Sequence, residues 1–517
     1  MKPASAIAVA VLLALASQAG SETRAQLNIL KVDLVPIDPG ARSETIVVSA
    51  DGRRLAYHAA HGKKWVVMVD GQEPIEYDAV GVPVFSPDGA REAHAAGRGA
   101  KWLVVVDGKE GHEYEAVGTP VFSAEGEHVA YAATRGGKQL VVIDGQEGRE
   151  YDQVLGAIVR MSRDGAHAAY AARRGDRWVV VLDREEGSEC DAIPDGTLGL
   201  SPDGRRVIHA AKRGDTLHVV ENGRDGGAID GMSQPVFTTD GSRVAYGVKH
   251  GTGWHVVVDG HEGAAFDTLG AGSLAFGPDG KRVGYAATRG GQWIVVVDGS
   301  EGVPYGWASF PKFSPDGARV SYRAQRAEGQ PYFAVIDGEE GPGYDAILQG
   351  TPVFSADGRR VAYAAKRGNK VVAVVDGQES GDYEAFGALP RFFSPDGRRV
   401  AYTASRHGKD FVVIDGHEGK RYDAIIGGTP VFSPDGRRVA FGARRGNGYL
   451  LVVDGVESPE YEGFVADSKL MFDGPSQLHA LVGRANVDLL MVNGKWLTPE
   501  EQKRWANEFV RIEVSLD

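Results

Sequence analysis

The feature that most constrains this chain is repetition. The stretch Thr429–Phe441 reads TPVFSPDGRRVAF; VPVFSPDG starts at Val82 and TPVFSADGRRVAY at Thr351. The turn glycine of this motif recurs at Gly52, Gly89, Gly126, Gly165, Gly204, Gly241, Gly280, Gly317, Gly358, Gly397, Gly436 and Gly474, spaced 37 to 41 residues apart. A second motif runs in step. Its Asp-Gly stands at Asp70-Gly71, Asp107-Gly108, Asp144-Gly145, Asp259-Gly260, Asp298-Gly299, Asp337-Gly338, Asp376-Gly377, Asp415-Gly416 and Asp454-Gly455. Asn222-Gly223 and Asn493-Gly494 replace it twice, and Asp183-Arg184 loses the glycine. In-phase units of this length mark a repeat architecture. They are numbered one to twelve below by their turn glycines.

Each unit divides into four short strands. The first is PVFS, ended by Pro-Asp-Gly. The second is RRVAYAA, ended by a turn such as Lys-Arg-Gly. The third is of the type WIVVVD, ended by Asp-Gly-x-Glu, and the fourth begins near Tyr-Asp. Val, Tyr, Phe and Trp suit pleated, half-buried surfaces, and the Gly, Asp and Asn turns suit hairpins. In Val129-Ala130-Tyr131-Ala132 the bulky residues share one face and the alanines the other. One four-stranded sheet cannot bury both faces alone. Stacking a bulky face on a neighbour's small face does so, and the pattern predicts an all-β β-propeller of twelve four-stranded blades.

The motif FSPDGxRVAY resembles the WD-like propeller repeat of the TolB type, found in exported bacterial proteins, over about Thr45 to Gly494. The resemblance implies six blades to a ring. The expected organisation is therefore a signal peptide at 1–25, a six-bladed propeller at 26–269 and a second at 270–517. Phe266–Pro278 looks like every other junction, so a single twelve-bladed ring is the alternative. Leu30, Val32 and Leu34 alternate with polar residues, as do Val510, Ile512, Val514 and Leu516. Either stretch could close the last blade, and Thr498-Pro499-Glu500-Glu501 predicts a short helix before the second.

Lys2 followed by the apolar run Ala6–Ala16, with small residues at Ala19 and Ala25, reads as a secretory signal. No cysteine follows it for a lipid anchor, and no later segment is apolar enough to span a membrane. The expected location is periplasmic or secreted. Cys190, the single cysteine, occupies a tyrosine position and reads as a core substitution. A net charge of −13 argues against a nucleic-acid partner.

No G-x-S-x-G, H-E-x-x-H, C-x-x-C or P-loop pattern occurs, so no catalytic residue, cofactor or metal is assigned. His94, His209 and His479 occupy aromatic slots and should be packed rings; His61, His250 and His407 fall in turns. The D-G-x-E carboxylates, such as Asp144 with Glu147 or Asp415 with Glu418, raise a calcium hypothesis. Pairing with the arginines of the first turn, such as Arg437-Arg438, is the simpler account.

The turns after the second strand are basic almost throughout. Arg98, Arg135, Arg173, Arg213, Arg289, Arg367, Arg406 and Arg445 lie there, with Trp65, Trp102, Trp178, Trp254 and Trp293 close behind. Such a rim would suit a protein, peptide, or anionic or glycan envelope partner; alternatively the rings pack and the cations solvate the edge. The leading expectation is an exported binding or scaffold protein. A hydrolase or lyase in a propeller channel is the second. It would show as broken repeat symmetry, for which Arg160-Met161-Ser162-Arg163, Gly306-Trp307-Ala308-Ser309 and Arg391 are the departures singled out. A structural spacer is the third.

Overall fold

The structure, a computed structural model, describes residues 28–515 apart from short stretches, the longest at 497–507. The stretch expected to be a signal sequence, the helix expected at Thr498–Glu501 and Arg391 lie outside the described residues. Among those described there is no α-helix. Eleven antiparallel sheets follow one another along the chain, one per unit, and a further sheet gathers both ends. These are β-propeller blades. Contacts group the chain into two compact bodies. One comprises Met1–His61, Val67–Ile75 and Leu348–Asp517, the other Gly62–Val66 and Glu76–Ile347. Residues 269 and 270 fall inside the second body.

The third unit shows how the repeat folds. Strand Val129–Arg135 pairs on one side with Lys138–Ile143, with Tyr131 opposite Val142 and Arg135 opposite Lys138. Its other side receives two short pieces, Ala116–Val117 and Val121–Phe122. Gln146–Glu147 pairs along the outer side of Lys138–Ile143, and Tyr151 rejoins that strand by bridging Gln139. The outer strand therefore begins at the Asp-Gly turn and ends at Tyr151. The next residue, Asp152, already donates its amide to Arg173 O of the following unit. Tyr-Asp is thus the crossover between blades rather than the start of a fourth strand.

Both turns follow from their residues. Asp144 and Gly145 have φ of 49° and 74°, the left-handed pair that a two-residue hairpin needs to match strand twist. In Ser-Pro-Asp-Gly, the Ser314 hydroxyl donates to Asp316 (2.5 Å) and accepts from the Arg319 amide (2.9 Å). Gly317 sits at φ 72°, and a Cβ there would come 2.5 Å from Asp279 of the preceding blade.

The core lies between neighbouring sheets. Tyr322 of the eighth unit packs against Ala286 of the seventh, and Tyr402 and Phe411 of the tenth against Ala362 and Ala364 of the ninth. Bulky face meets small face, and each ring so buried contributes about 1.5–3 kcal/mol. His94 and His209, in the same slot, are buried as expected. The side chain of His479 lies outside the described residues. Cys190 is buried and free.

Both terminal stretches take part in the last sheet. Asn28–Pro36 pairs antiparallel with Glu508–Ser515, Val32 opposite Ile512 and Leu34 opposite Val510. Glu508–Ser515 in turn pairs with Gln477–Arg484. The two strands are partners, not alternatives.

Candidate functional site

Among the described residues, the arginines of the basic turns do not form a free ring of cations. Arginines at the ends of the described second strands fold back onto the acidic residue that follows the Asp-Gly or Asn-Gly turn of their own blade. Arg98 lies 2.6 Å from Glu110, Arg135 2.9 Å from Glu147, Arg289 2.6 Å from Glu301 and Arg367 2.5 Å from Glu379. Arg406 lies 2.8 Å from Glu418 and Arg445 2.6 Å from Glu457. Arg213 pairs with Asp225 in the same way. Arg173 is one position off this slot; Arg174 fills it, 3.1 Å from Glu186, while Arg173 donates to Gly175 O at 2.7 Å.

The preceding blade supplies a ring beneath the ion pair. Arg98 stacks over Tyr77, Arg289 over Phe266, Arg406 over Tyr383 and Arg445 over Tyr422, at 4.6 to 5.5 Å. At several of these joints a tyrosine hydroxyl also donates to the glutamate: Tyr77 to Glu110 at 2.8 Å, Tyr114 to Glu147 at 2.8 Å and Tyr422 to Glu457 at 2.9 Å, whereas the Tyr383 hydroxyl meets that of Tyr402 at 3.5 Å. The Arg445 guanidinium holds Glu457 down to about 2 against the opposing effect of burial. Burial raises the Tyr422 phenol, and its bond to Glu457 raises it further. Ring, arginine and glutamate form a clasp between successive blades.

Trp65, Trp102, Trp178, Trp254 and Trp293 are half-buried beside these clasps. Each forms a two-way backbone bridge with the ring position, to Tyr77, Tyr114, Cys190, Phe266 and Tyr305 respectively. Trp178 and Trp293 pack on the core clusters of their blades. A Cβ on Gly97 would lie 3.3 Å from the Trp102 ring.

The opposite turns carry a second clasp. The latter arginine of the first-turn pair meets the aspartate of Asp-Gly: Arg360 with Asp376 and Arg399 with Asp415, both at 2.8 Å. Arg360 also stacks over Phe393 of the next blade at 5.3 Å. Asp415 and Glu418 thus diverge to Arg399 and Arg406. Among the described residues no group of three or more His, Cys, Asp or Glu is placed to hold a metal. At the departure around Trp307, Arg323 stacks on that ring at 5.5 Å and donates to Ile347 O at 3.0 Å.

One interface departs from the pattern in a way the motif survey passed over. Between the fifth and sixth units, the ring position is Ile229 and the arginine position His250, leaving Glu262 as the remaining clasp residue. Nearby outer-strand charges are also missing: Gly227 and Ala228 stand where the third unit has Arg149 and Glu150. The space left is a cleft of about 730 Å³ lined by Glu221, Asp225, Ile229, Tyr246, His250 and Glu262, among others. Glu221 is held by Arg206 (2.6 Å) and Asp225 by Arg213. Glu262 has two histidines instead: His250 Nε2 at 3.4 Å and His255 Nδ1 at 3.1 Å. His255 Nδ1 also faces Gly263 O at 3.0 Å, so with two acceptors it carries the hydrogen. His255 itself stands where other units have Leu103, Leu140 or Ile294. Aligning the units would have exposed this run of substitutions; searching for named motifs does not.

No protein-family model matches the chain, and no curated protein matches it either. Among solved structures it is similar to a eukaryotic initiation factor (14% identity, 72% of this chain and 96% of that one, TM-score 0.34). It is similar also to the β-propeller domain of the Trilobed protease from Pyrococcus furiosus (14%, 51% and 95%, TM-score 0.25). A third is TolB from Acinetobacter baumannii (14%, 58% and 77%, TM-score 0.21). At these values the fold assignment stands on the chain's own strand pairing.

Proposed function

We propose that this protein is an exported, TolB-like β-propeller binding protein that recognises a protein, peptide or envelope polymer. One observation carries this reading. Blade after blade, arginine and glutamate are spent on clasps, and where a clasp is missing there is an open polar cleft. A repeat whose charges are satisfied internally is a rigid frame, and a local lapse in it is a place for a guest. The positively charged start and short apolar run at 2–16 support export to the periplasm or beyond. The arginine rim is not the surface to test by charge reversal. Changing Arg135 or Arg445 to glutamate would set two carboxylates against each other inside a blade clasp.

The test is retention of a partner from envelope extract by the immobilised mature chain, beside a variant with Ile229→Tyr and His250→Arg that rebuilds the clasp. A partner retained in stoichiometric amount by the wild type supports the reading. Turnover of an envelope substrate with no retained partner overturns it in favour of an enzyme.

A further inference from the structure

We propose that the cleft between the fifth and sixth blades receives the guanidinium of an arginine side chain, presented by an extended partner segment that pairs with the edge strand Arg224–Ile229. This rests on the binding reading above and names its site and partner chemistry.

The first argument is internal. At several other interfaces, the position facing this glutamate is filled by a guanidinium lying over a ring. At the fifth-to-sixth interface the glutamate remains, but the guanidinium and the ring are both gone. Glu262 is left with imidazoles, which are charged only when protonated, whereas arginine is always charged. A guest guanidinium would restore the pairing that the fold builds for itself at joints such as that of Tyr422, Arg445 and Glu457. The fork of N–H groups suits a carboxylate better than a point-like ammonium does. Tyr246 supplies an aromatic wall. Glu221 and Asp225 are already paired with Arg206 and Arg213, so among the described residues Glu262 is the carboxylate of the cleft that no arginine holds.

The second argument is the strand beside it. In other blades the outer strand is a two-residue pairing followed by a single bridge, and in the third it carries Arg149 and Glu150 between them. In the fifth blade it is a six-residue strand, RDGGAI, whose first five residues are exposed. Charged side chains normally guard such an edge against added strands. Here Gly226, Gly227 and Ala228 leave it bare. The backbone does not require glycine: Gly227 is not in the left-handed region, and a Cβ there would meet nothing within 4 Å. A bare edge next to a side-chain cavity is the arrangement by which sheets bind extended peptides, with main-chain bonds for affinity and the pocket for specificity.

The experiment uses fluorescence anisotropy of the intact protein with a labelled, end-blocked peptide, Thr-Val-Arg-Val-Thr, its citrulline analogue, and arginine amide alone. The arginine peptide should bind about tenfold or more tightly than the citrulline one, and Glu262→Gln should remove that difference. The Ile229→Tyr, His250→Arg variant, which fills the cleft with side chains the fold already uses, should abolish binding while its melting transition is retained. Gly227→Pro should weaken the peptide but leave arginine amide unchanged. Equal binding of the arginine and citrulline peptides, or unchanged binding to the rebuilt clasp, overturns the proposal. Arginine amide binding as tightly as the peptide overturns its edge-strand part. If the peptide fails while the mature chain still retains an extract partner, this site falls and the binding reading stands. If no partner is retained either, both fall.

Discussion

The interface between the tenth and eleventh blades and that between the fifth and sixth are built from the same repeat and end up opposite in character. In the first, Tyr422 is buried, its hydroxyl meets Glu457, and Arg445 closes over both. In the second, Ile229 is buried but reaches nothing polar, His250 replaces the arginine, and a cleft opens beside Glu262. Two substitutions in the same pair of slots convert a closed joint into an open one. The difference shows how the contacts of a clasp depend on one another's positions. The ring supports the guanidinium, the guanidinium anchors the carboxylate, and where the first two are absent the third has only the histidines His250 and His255.

The largest effect should come from breaking the closed joint. Tyr422→Ala removes a fully packed ring and should destabilise the protein by about 3–5 kcal/mol. Ile229→Ala at the open joint should have a smaller effect, about 2 kcal/mol, because fewer atoms are lost. Denaturant unfolding of the two variants compares them directly. Equal losses would mean that the tyrosine clasp adds nothing beyond apolar burial.

The next effect depends on pH and sharpens the contrast on the other side of the fifth blade. His209 is buried where other blades hold tyrosine, and its Nδ1 has no hydrogen-bond partner among the described residues. Burial pulls its pKa down to about 4, with Arg213 adding to the fall and Asp225 opposing it. The folded state therefore favours the neutral ring, while the unfolded chain takes up a proton near 6.5. The native state is at full strength above that value and loses stability as the pH falls from about 6.5 to about 4, by up to ~3 kcal/mol. His209→Phe should remove this loss, so urea midpoints of the two proteins should diverge on going from pH 7 to pH 4.5. Parallel pH profiles would show that His209 is already protonated or satisfied in the fold.

The smallest effect tests the hairpin turns. Asp183 and Arg184 adopt φ of 49° and 69°, the conformation that glycine supplies at the second position elsewhere. Arg184→Gly should stabilise the fourth blade by up to about 1 kcal/mol, reduced by the loss of the 2.8 Å bond from Arg184 to Gln146. A rise in melting temperature checks it.

Much of the fold is legible in the sequence because the repeat writes it many times. The strand types, the Ser-Pro-Asp-Gly and Asp-Gly turns, the packing of tyrosine on alanine and the burial of His94 and Cys190 all follow from alternation and from which residues tolerate left-handed backbone. Less legible was partner choice. The glutamate of Asp-Gly-x-Glu was expected beside the first-turn arginines; in space only the aspartate goes there, and the glutamate turns back to Arg98, Arg135 or Arg445. The crossover at Tyr-Asp was displaced for a related reason. A bulge between Glu147 and Tyr151 lets one strand leave its neighbour and rejoin it, which periodicity alone does not reveal.

By itself, then, the sequence determined that this protein is a series of small antiparallel blades and where each turn must fall, because those features depend on residues close together in the chain. Which charges would be consumed and which left open was decided only by tertiary structure. A clasp joins a ring from one blade to an arginine and a glutamate of the next, 21 and 33 residues further on in the case of Tyr77, Arg98 and Glu110. Whether three such residues meet, or leave a cleft as at Ile229, His250 and Glu262, is settled by the stacking of one sheet upon another.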